Sequence, residues 1–264
     1  MVISELFKLW DREEIIIALE TVFGYKRHDI LLGQNHKLKT DELEFITDLI
    51  EKRKSGIPLQ YILGKWYFYD IEVMVSEGVL IPRPETEILI GKALEYSKKG
   101  MKILDIGTGT GIIAITLAKH IENADITAVD ISDAALKLAY ENAKLNNVEI
   151  KFKKSNIYDS IDERFDMIVS NPPYISEHER TKLQKELSYE PEIALFSGED
   201  GLDMIREIIS KSDYYLNNKG IIIIEIGYDQ GEAVSELLIQ LGFTEVEITK
   251  DYNDFDRIVS ARKS

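Results

Sequence analysis

Asn171-Pro172-Pro173-Tyr174 follows an apolar run, Met167-Ile168-Val169, that reads as a buried parallel strand, and so stands at that strand's C-terminal end. Two successive prolines remove two backbone donors and fix φ, giving a stiff turn whose carbonyl oxygens face outward without N–H groups competing for them. The side-chain oxygen of Asn171 and the carbonyl of Pro172 can together accept both hydrogens of a planar NH2 group. The Tyr174 ring can lie against its π face. Such a site suits an amide or an exocyclic amine.

A second constellation lies upstream. Gly107-Thr108-Gly109-Thr110-Gly111 joins the strand Lys102-Ile103-Leu104-Asp105-Ile106 to a helix beginning at Ile112. Glycines here permit positive φ and let a ligand approach the backbone without a Cβ in the way. The dinucleotide fingerprint needs a third glycine where Ile112 stands, and the phosphate-loop pattern needs a Gly-Lys-Ser/Thr run that is absent. What remains suits a nucleoside without pyrophosphate. Asp130, at the tip of the next strand, can accept both ribose hydroxyl hydrogens. Asp105 either orients the loop or meets the ligand's ammonium, and a buried structural role is its alternative. The loop Ser155-Asn156-Ile157-Tyr158, after the third strand, offers a further contact, with the base ring against Ile157.

These residues need a scaffold that brings several strand ends to one edge. From 102 onward strands and helices alternate: strands near 102–106, 125–130, 148–153, 166–170 and 221–226, helices near 112–120, 133–146, 201–216 and 230–241. Alternation of this kind predicts an α/β fold, a doubly wound, seven-stranded, mostly parallel sheet. Its last two strands, 243–249 and 257–262, lack an intervening helix and are expected to be antiparallel to each other. Residues 186–201 read as a loop-rich insertion. Before the sheet, Leu6, Leu9, Trp10, Ile15, Ile16, Leu19 and Phe23 recur at helical spacing until Gly24 breaks the pattern. Shorter helices are expected over 27–32 and 40–54, the latter capped by the Thr40 side chain. Trp66, Phe68, Ile71, Val73 and Val75, with Val79-Leu80-Ile81 beyond Glu77-Gly78, read as a β-hairpin. Pro82-Arg83-Pro84-Glu85-Thr86-Glu87 is then a rigid turn in which Glu85 or Thr86 caps the helix over 88–97. The expected division is 1–64 helical, 65–85 hairpin linker and 86–264 catalytic.

Composition narrows the class of protein. At 264 residues and 44% apolar content the chain can bury a full core. Its net charge is −15; up to Gly64 there are 9 Lys and Arg against 11 Asp and Glu, so −13 lies in the remainder. That balance opposes a large phosphate-facing surface and favours a basic partner. The absence of cysteine excludes disulfides and thiolate metal sites and suits a reducing, cytoplasmic compartment. No leader-like start and no membrane-length apolar run is seen; the run Ile221–Ile224 ends at Glu225. His28, His36, His120 and His178 have no metal-ligand spacing and are expected at the surface.

Asp105 to Gly111, Asp130 and Asn171 to Tyr174 together resemble class I S-adenosylmethionine-dependent methyltransferases that modify nitrogen. Further motifs sharpen the resemblance: Pro58-Leu59-Gln60-Tyr61-Ile62-Leu63-Gly64, Ile81 to Glu87, Ile175 after the Asn-Pro-Pro-Tyr run, Glu190-Pro191 with Ala194-Leu195, Gly198-Glu199-Asp200-Gly201-Leu202 and Asp256-Arg257. In combination they resemble the release-factor glutamine methyltransferases, the PrmC/HemK family, from about residue 58 to the C-terminus. The resemblance implies methylation of the side-chain amide nitrogen of the Gln in a Gly-Gly-Gln tip of peptide chain release factors. It implies S-adenosylmethionine as cofactor, held by Gly107, Thr108, Gly109, Thr110, Gly111, Asp130 and Asn156. Asn171, Pro172, Pro173 and Tyr174 would hold the glutamine, with Asn171, Pro172 and Tyr174 acting in catalysis and Asn171 also bordering the donor. Asn156 departs from the family, which usually carries Asp there; an amide oxygen can still accept from an adenine amine. No metal is required, since the donor carries its own electrophile, and a cytoplasmic monomer without direct nucleic-acid or membrane contact is expected. Three rivals share some of these features: methylation of a ribosomal-protein glutamine, amino-group methylation of adenine or guanine in nucleic acid, and a nucleoside-sensing adaptor without activity. The nucleic-acid rival needs a basic face, for which Lys151, Lys153, Lys154 and Lys52-Arg53-Lys54 are the only tempting clusters.

Overall fold

The computed structural model describes residues 1–33, 36–182 and 185–264. Among the described residues five helices come first: α1 (Ile3–Leu6), α2 (Arg12–Phe23), α3 (Arg27–Leu32), α4 (Thr40–Lys54) and α5 (Leu59–Leu63). Their apolar faces enclose Ile3, Leu6, Ile15, Ile16, Leu19, Ile30, Ile46 and Leu49, all buried. Gly24 ends α2 at φ +70°, a conformation only glycine adopts freely, which turns the chain sharply into α3. Thr40 does not cap α4; Lys39 precedes the helix, and the Glu42 carboxylate accepts from its backbone N–H at 2.9 Å. With Lys39 at the N-cap, Thr40 is the first helical residue, one position too late for its hydroxyl to reach back over the first turn, and the Glu42 carboxylate supplies the reciprocal bond of a capping box instead.

The hairpin β1 (Lys65–Phe68) and β2 (Ile71–Met74) is shorter than the sequence suggested. Pairing runs from Lys65–Met74 to Phe68–Ile71, so the turn is Tyr69-Asp70, with Tyr69 at φ +53°. Residues 79–81 belong to no strand, although Val79 and Ile81 are buried. The hairpin is fixed to the rest through Asn142, a fully buried side chain: it accepts from Met74 N at 2.7 Å and donates to Met74 O at 3.0 Å and Thr110 O at 2.9 Å.

The main sheet follows, built from β3 (Lys102–Ile106), β4 (Asp125–Asp130), β5 (Lys151–Lys154), β6 (Phe165–Ser170), β7 (Leu216–Glu225), β8 (Thr244–Lys250) and β9 (Asp256–Arg262), in the order β5-β4-β3-β6-β7-β9-β8. Pairing is parallel from β5 through β7; β9 runs antiparallel to both its neighbours. Strand periodicity splits the core in two. Ile103, Met167, Val169, Ile221 and Ile223 face one side, with α6 (Thr86–Tyr96), α7 (Ile112–His120) and the hairpin. Leu104, Ile168, Ile222 and Ile224 face the other, against α9 (Asp203–Tyr215) and α10 (Gly231–Gln240). The remaining helix, α8 (Asp133–Leu145), follows β4. Helices on both faces explain the continuous isoleucine run of β7: neither side meets water, so neither position of the alternation is polar. Trp66 packs against both the helical cluster and the sheet's hairpin-side cluster.

Candidate active site

The parallel register assembles the site. Ile106 at the end of β3 pairs with Val129 of β4 on one side and Ser170 of β6 on the other. The residues that follow, Gly107, Asp130 and Asn171, therefore emerge side by side at the C-terminal edge, where open α/β sheets bind ligands. Gly107 N and Thr108 N both donate to Val129 O, at 2.9 and 3.0 Å. Gly109 has φ +56°, and a Cβ built on it would meet no heavy atom within 4 Å. The loop thus bares its backbone toward open space rather than toward packed protein.

Asp130 is tied to that loop. Its Oδ2 accepts from Gly109 N at 2.9 Å and its Oδ1 from Ser132 N at 2.9 Å, and burial raises its carboxyl above the usual range. Each oxygen keeps a second lone pair. Asp105 lies behind the loop, fully buried, with Oδ2 accepting from the Thr108 hydroxyl at 2.6 Å. Burial pushes its carboxyl up to about 7 against the lowering effect of that hydroxyl. A cavity above the strand ends is lined by Gly107, Thr108, Gly109, Thr110, Asp130, Asn156, Asn171, Pro172 and Pro173, together with Ile131 and Ile157. Gly111 stands apart. It begins α7 at φ +84°, and a Cβ there would press on Ala139 Cβ at 3.1 Å, so its smallness serves packing against α8.

Asn171 anchors through its nitrogen: Nδ2 donates to Thr86 Oγ1 at 3.0 Å, and Thr86 Oγ1 donates to Glu225 Oε2 at 2.8 Å. The Asn171 oxygen lies on the opposite side of the amide from this anchor. Thr86 opens α6 but spends its hydroxyl on Glu225, so neither it nor Glu85 caps the helix through a side chain. Tyr174 lies outside the first cavity. It lines a second one with Asn171, Pro172, Arg83, Arg257, Glu85, Gln60 and residues of the 177–195 segment. Asn171 and Pro172 line both. Burial raises the Tyr174 hydroxyl, which lies 3.5 Å from Glu225 Oε1.

Gln230, which the sequence reading did not single out, and Gly201 of the 198–202 motif hold this turn. Gln230 donates from Nε2 to Tyr174 O at 3.0 Å and to Asp200 O at 3.3 Å, and accepts from Gly227 N at 2.8 Å. Gly201, at φ +78°, lets its turn approach so closely that a Cβ would stand 2.2 Å from Tyr174 O. Glu225 carried a signal of its own, a carboxylate directly after four isoleucines in a buried strand. Arg83 is not a free turn arginine: it pairs with Glu190, which is buried and also accepts from Ile81 N at 3.0 Å. Both basic clusters are ion-paired, Lys151, Lys153 and Lys154 with Asp125, Asp162 and Asp133, and Lys52, Arg53 and Lys54 with Asp48, Glu14 and Glu51. Among the described residues no group of three or more acidic or histidine side chains gathers as a metal site.

Two family models match the chain, a methyltransferase small domain over residues 84–200 and a PrmC N-terminal domain over residues 10–64. A solved methyltransferase from Pyrococcus furiosus shares the fold, with a TM-score of 0.58 and 21% identity over 81% of this chain and 99% of its own. Sequence relatives are much nearer. The release factor glutamine methyltransferase of Flavobacterium psychrophilum is 38% identical over 97% of this chain and 95% of its own length. That of Thermodesulfovibrio yellowstonii is 42% identical over 89% of this chain and 86% of its own. Identity of this extent, over nearly the whole of both chains, makes the protein a member of the release factor glutamine methyltransferase family.

Proposed function

We propose that the protein transfers a methyl group from S-adenosylmethionine to the side-chain amide nitrogen of a glutamine, in the Gly-Gly-Gln tip of a peptide chain release factor. The observation that carries this reading is the wall shared by two cavities: Asn171 and Pro172 line both, beside Leu80, Arg83 and Ala194. A donor in one and a glutamine in the other would meet across two acceptors suited to an NH2 group.

The first cavity fits the methyl donor by its chemistry. A carboxylate with two spare lone pairs at Asp130 suits a ribose diol, Ile131 and Ile157 give apolar surface for a base, and the bare backbone at Gly107 and Gly109 permits close approach. Asn156, exposed at the rim, would accept from the adenine amine. Bound there, S-adenosylmethionine supplies a methyl on a sulfonium, whose bonding pair stays with sulfur as the thioether product leaves.

The chain's own residues deal with the poor nucleophile. An amide lone pair is conjugated with its carbonyl, so the nitrogen attacks weakly. By accepting both N–H hydrogens, Asn171 Oδ1 and Pro172 O would raise electron density on it and hold it in line with the methyl. Tyr174 would lie against the amide plane. As the nitrogen–carbon bond forms, one N–H proton departs to water, leaving a neutral N-methyl amide. The helical residues 1–64 would grip the release factor, 65–85 serve as linker and 86–264 carry the chemistry, acting as a monomer in the cytoplasm. The ion pairing of both lysine clusters favours a protein substrate over nucleic acid.

Single-turnover transfer of labelled methyl tests the reading. A release factor should be labelled at the tip glutamine, while its Gln→Glu variant, a ribosomal-protein mixture and RNA should not. Label on RNA, or equal label on the Gln→Glu variant, would refute it.

A further inference from the structure

We infer that Thr86 and Glu225 are positioning residues that set the polarity of the Asn171 amide, turning its oxygen rather than its NH2 toward the substrate nitrogen. This rests on the reading of Asn171 as an acceptor given above. Strand register brings the groups together: Ser170 of β6 pairs with Ile224 of β7, so the residues that follow, Asn171 and Glu225, stand next to each other, and the start of α6 places Thr86 between them. Thr86 is 2% and Glu225 0% exposed, so water does not compete for either group.

A hydroxyl has one hydrogen, and an ionised carboxylate can only accept. With Glu225 ionised, the Thr86 hydrogen is committed to it at 2.8 Å. Only lone pairs then face Asn171, which must present its NH2 to Thr86, at 3.0 Å, and its oxygen to the substrate. Amide nitrogen and oxygen cannot be told apart by shape, so without this chain both orientations fit the same space. The chain also polarises the amide, because each donated hydrogen bond strengthens the next acceptor in a dry interior. Protonating Glu225 would undo this. Its own O–H would donate to Thr86, whose hydrogen would swing to Asn171 and favour the reversed amide.

Three other groups face Glu225: the Tyr174 hydroxyl from the turn, the Glu85 carboxylate ahead of α6 and the Arg257 guanidinium on β9. Burial, chiefly, pushes the Glu225 carboxyl up to about 7, with Glu85 raising it further and Thr86, Arg257 and Tyr174 opposing. The switch between amide orientations thus falls near neutrality.

The experiment combines rate and spectroscopy on the full chain. Thr86→Val should lower the single-turnover methylation rate about 10-fold or more at unchanged donor affinity, and Thr86→Ser should restore most of it. The wild-type rate should fall on the acidic side of about pH 7, and Glu225→Gln should flatten that limb. With 15N-labelled asparagine, the Asn171 side-chain NH2 signals should titrate over the same range without substrate, and cease to titrate in Thr86→Val and in Glu225→Gln. A Thr86→Val enzyme at wild-type rate, an acidic limb that survives Glu225→Gln, or an Asn171 amide that titrates regardless of both changes would overturn the inference. A wild-type protein that labels no glutamine yet shows the titration would refute the proposed substrate and leave the amide switch standing.

Discussion

Replacing Asp130 by alanine tests how the first cavity holds its ligand. Each carboxylate oxygen already spends one lone pair on a backbone N–H, Gly109 and Ser132, both at 2.9 Å, leaving one per oxygen for a ribose hydroxyl. Hydrogen bonds to a charged acceptor contribute about 1.5–3 kcal/mol each. The sum is not realised, because burial already disfavours the Asp130 charge, and removing it relieves that strain. A net loss of about 1.5–3 kcal/mol, or about 10- to 150-fold in affinity, is expected. Calorimetric titration with S-adenosylhomocysteine measures it directly. The slackened Gly109 loop could weaken binding by itself, so the same titration is run with a 2′-deoxy analogue. If Asp130 holds the diol, the analogue binds wild type more weakly, and Asp130→Ala discriminates little between the two ligands. Unchanged affinity in the variant, or a deoxy penalty that persists in full, would refute the assignment.

Asn171→Ala should reduce the methylation rate by about 2–4 kcal/mol of transition-state stabilisation while donor affinity stays within a few-fold; near-wild-type turnover contradicts its role. Asp105 carries a folded-state value raised to about 7 from an ordinary 3.8, so its contribution favours folding fully below about pH 4 and is lost as pH rises through about 7. Asp105→Asn should therefore gain stability relative to wild type between pH 5 and pH 8, read as a shallower decline of melting temperature across that range, and a parallel decline would show the carboxyl ionising without penalty. Gly201→Ala combines positive φ with a Cβ 2.2 Å from Tyr174 O; it should cost about 1–3 kcal/mol in denaturant unfolding and slow methylation by displacing the turn, whereas an unperturbed midpoint would mean the turn yields freely.

Much of the sheet was legible because its strands are buried on both faces. The runs 102–106 and 125–130 stand where the apolar pattern put them. Strand order was not, since nothing local in β3 says that β6 rather than β5 lies beside it. Local rules failed at two helix starts with capping chemistry: the cap of α4 stands one residue earlier than expected, so Lys39 and not Thr40 is the N-cap, and at α6 a distant group, Glu225, takes the Thr86 hydroxyl. The hairpin was overextended because Val79 and Ile81 are apolar for burial without being paired. At the site, contiguous motifs were readable as chemistry. The Thr86–Glu225 contact spans 139 residues and could not be. Gly111, read with its neighbouring glycines, turned out to answer to Ala139 on another helix.

The wall between the two cavities, lined also by Leu80, Arg83 and Ala194, carries one proposed acceptor on a side chain and one on the main chain, and these differ in how they respond to mutation. Asn171 can be altered by a codon change. The carbonyl of residue 172 is present whichever amino acid stands there, and its acceptor strength is set by the tertiary amide that Pro173 forms with it. A library of point mutants read by activity would mark Asn171 as indispensable and score its partner oxygen only through changes in backbone shape. On the proposed reading, half of the acceptor pair would be shielded from single-residue loss, and drift in substrate preference would come from side chains around the second cavity, among them Arg83, Tyr174 and Arg257.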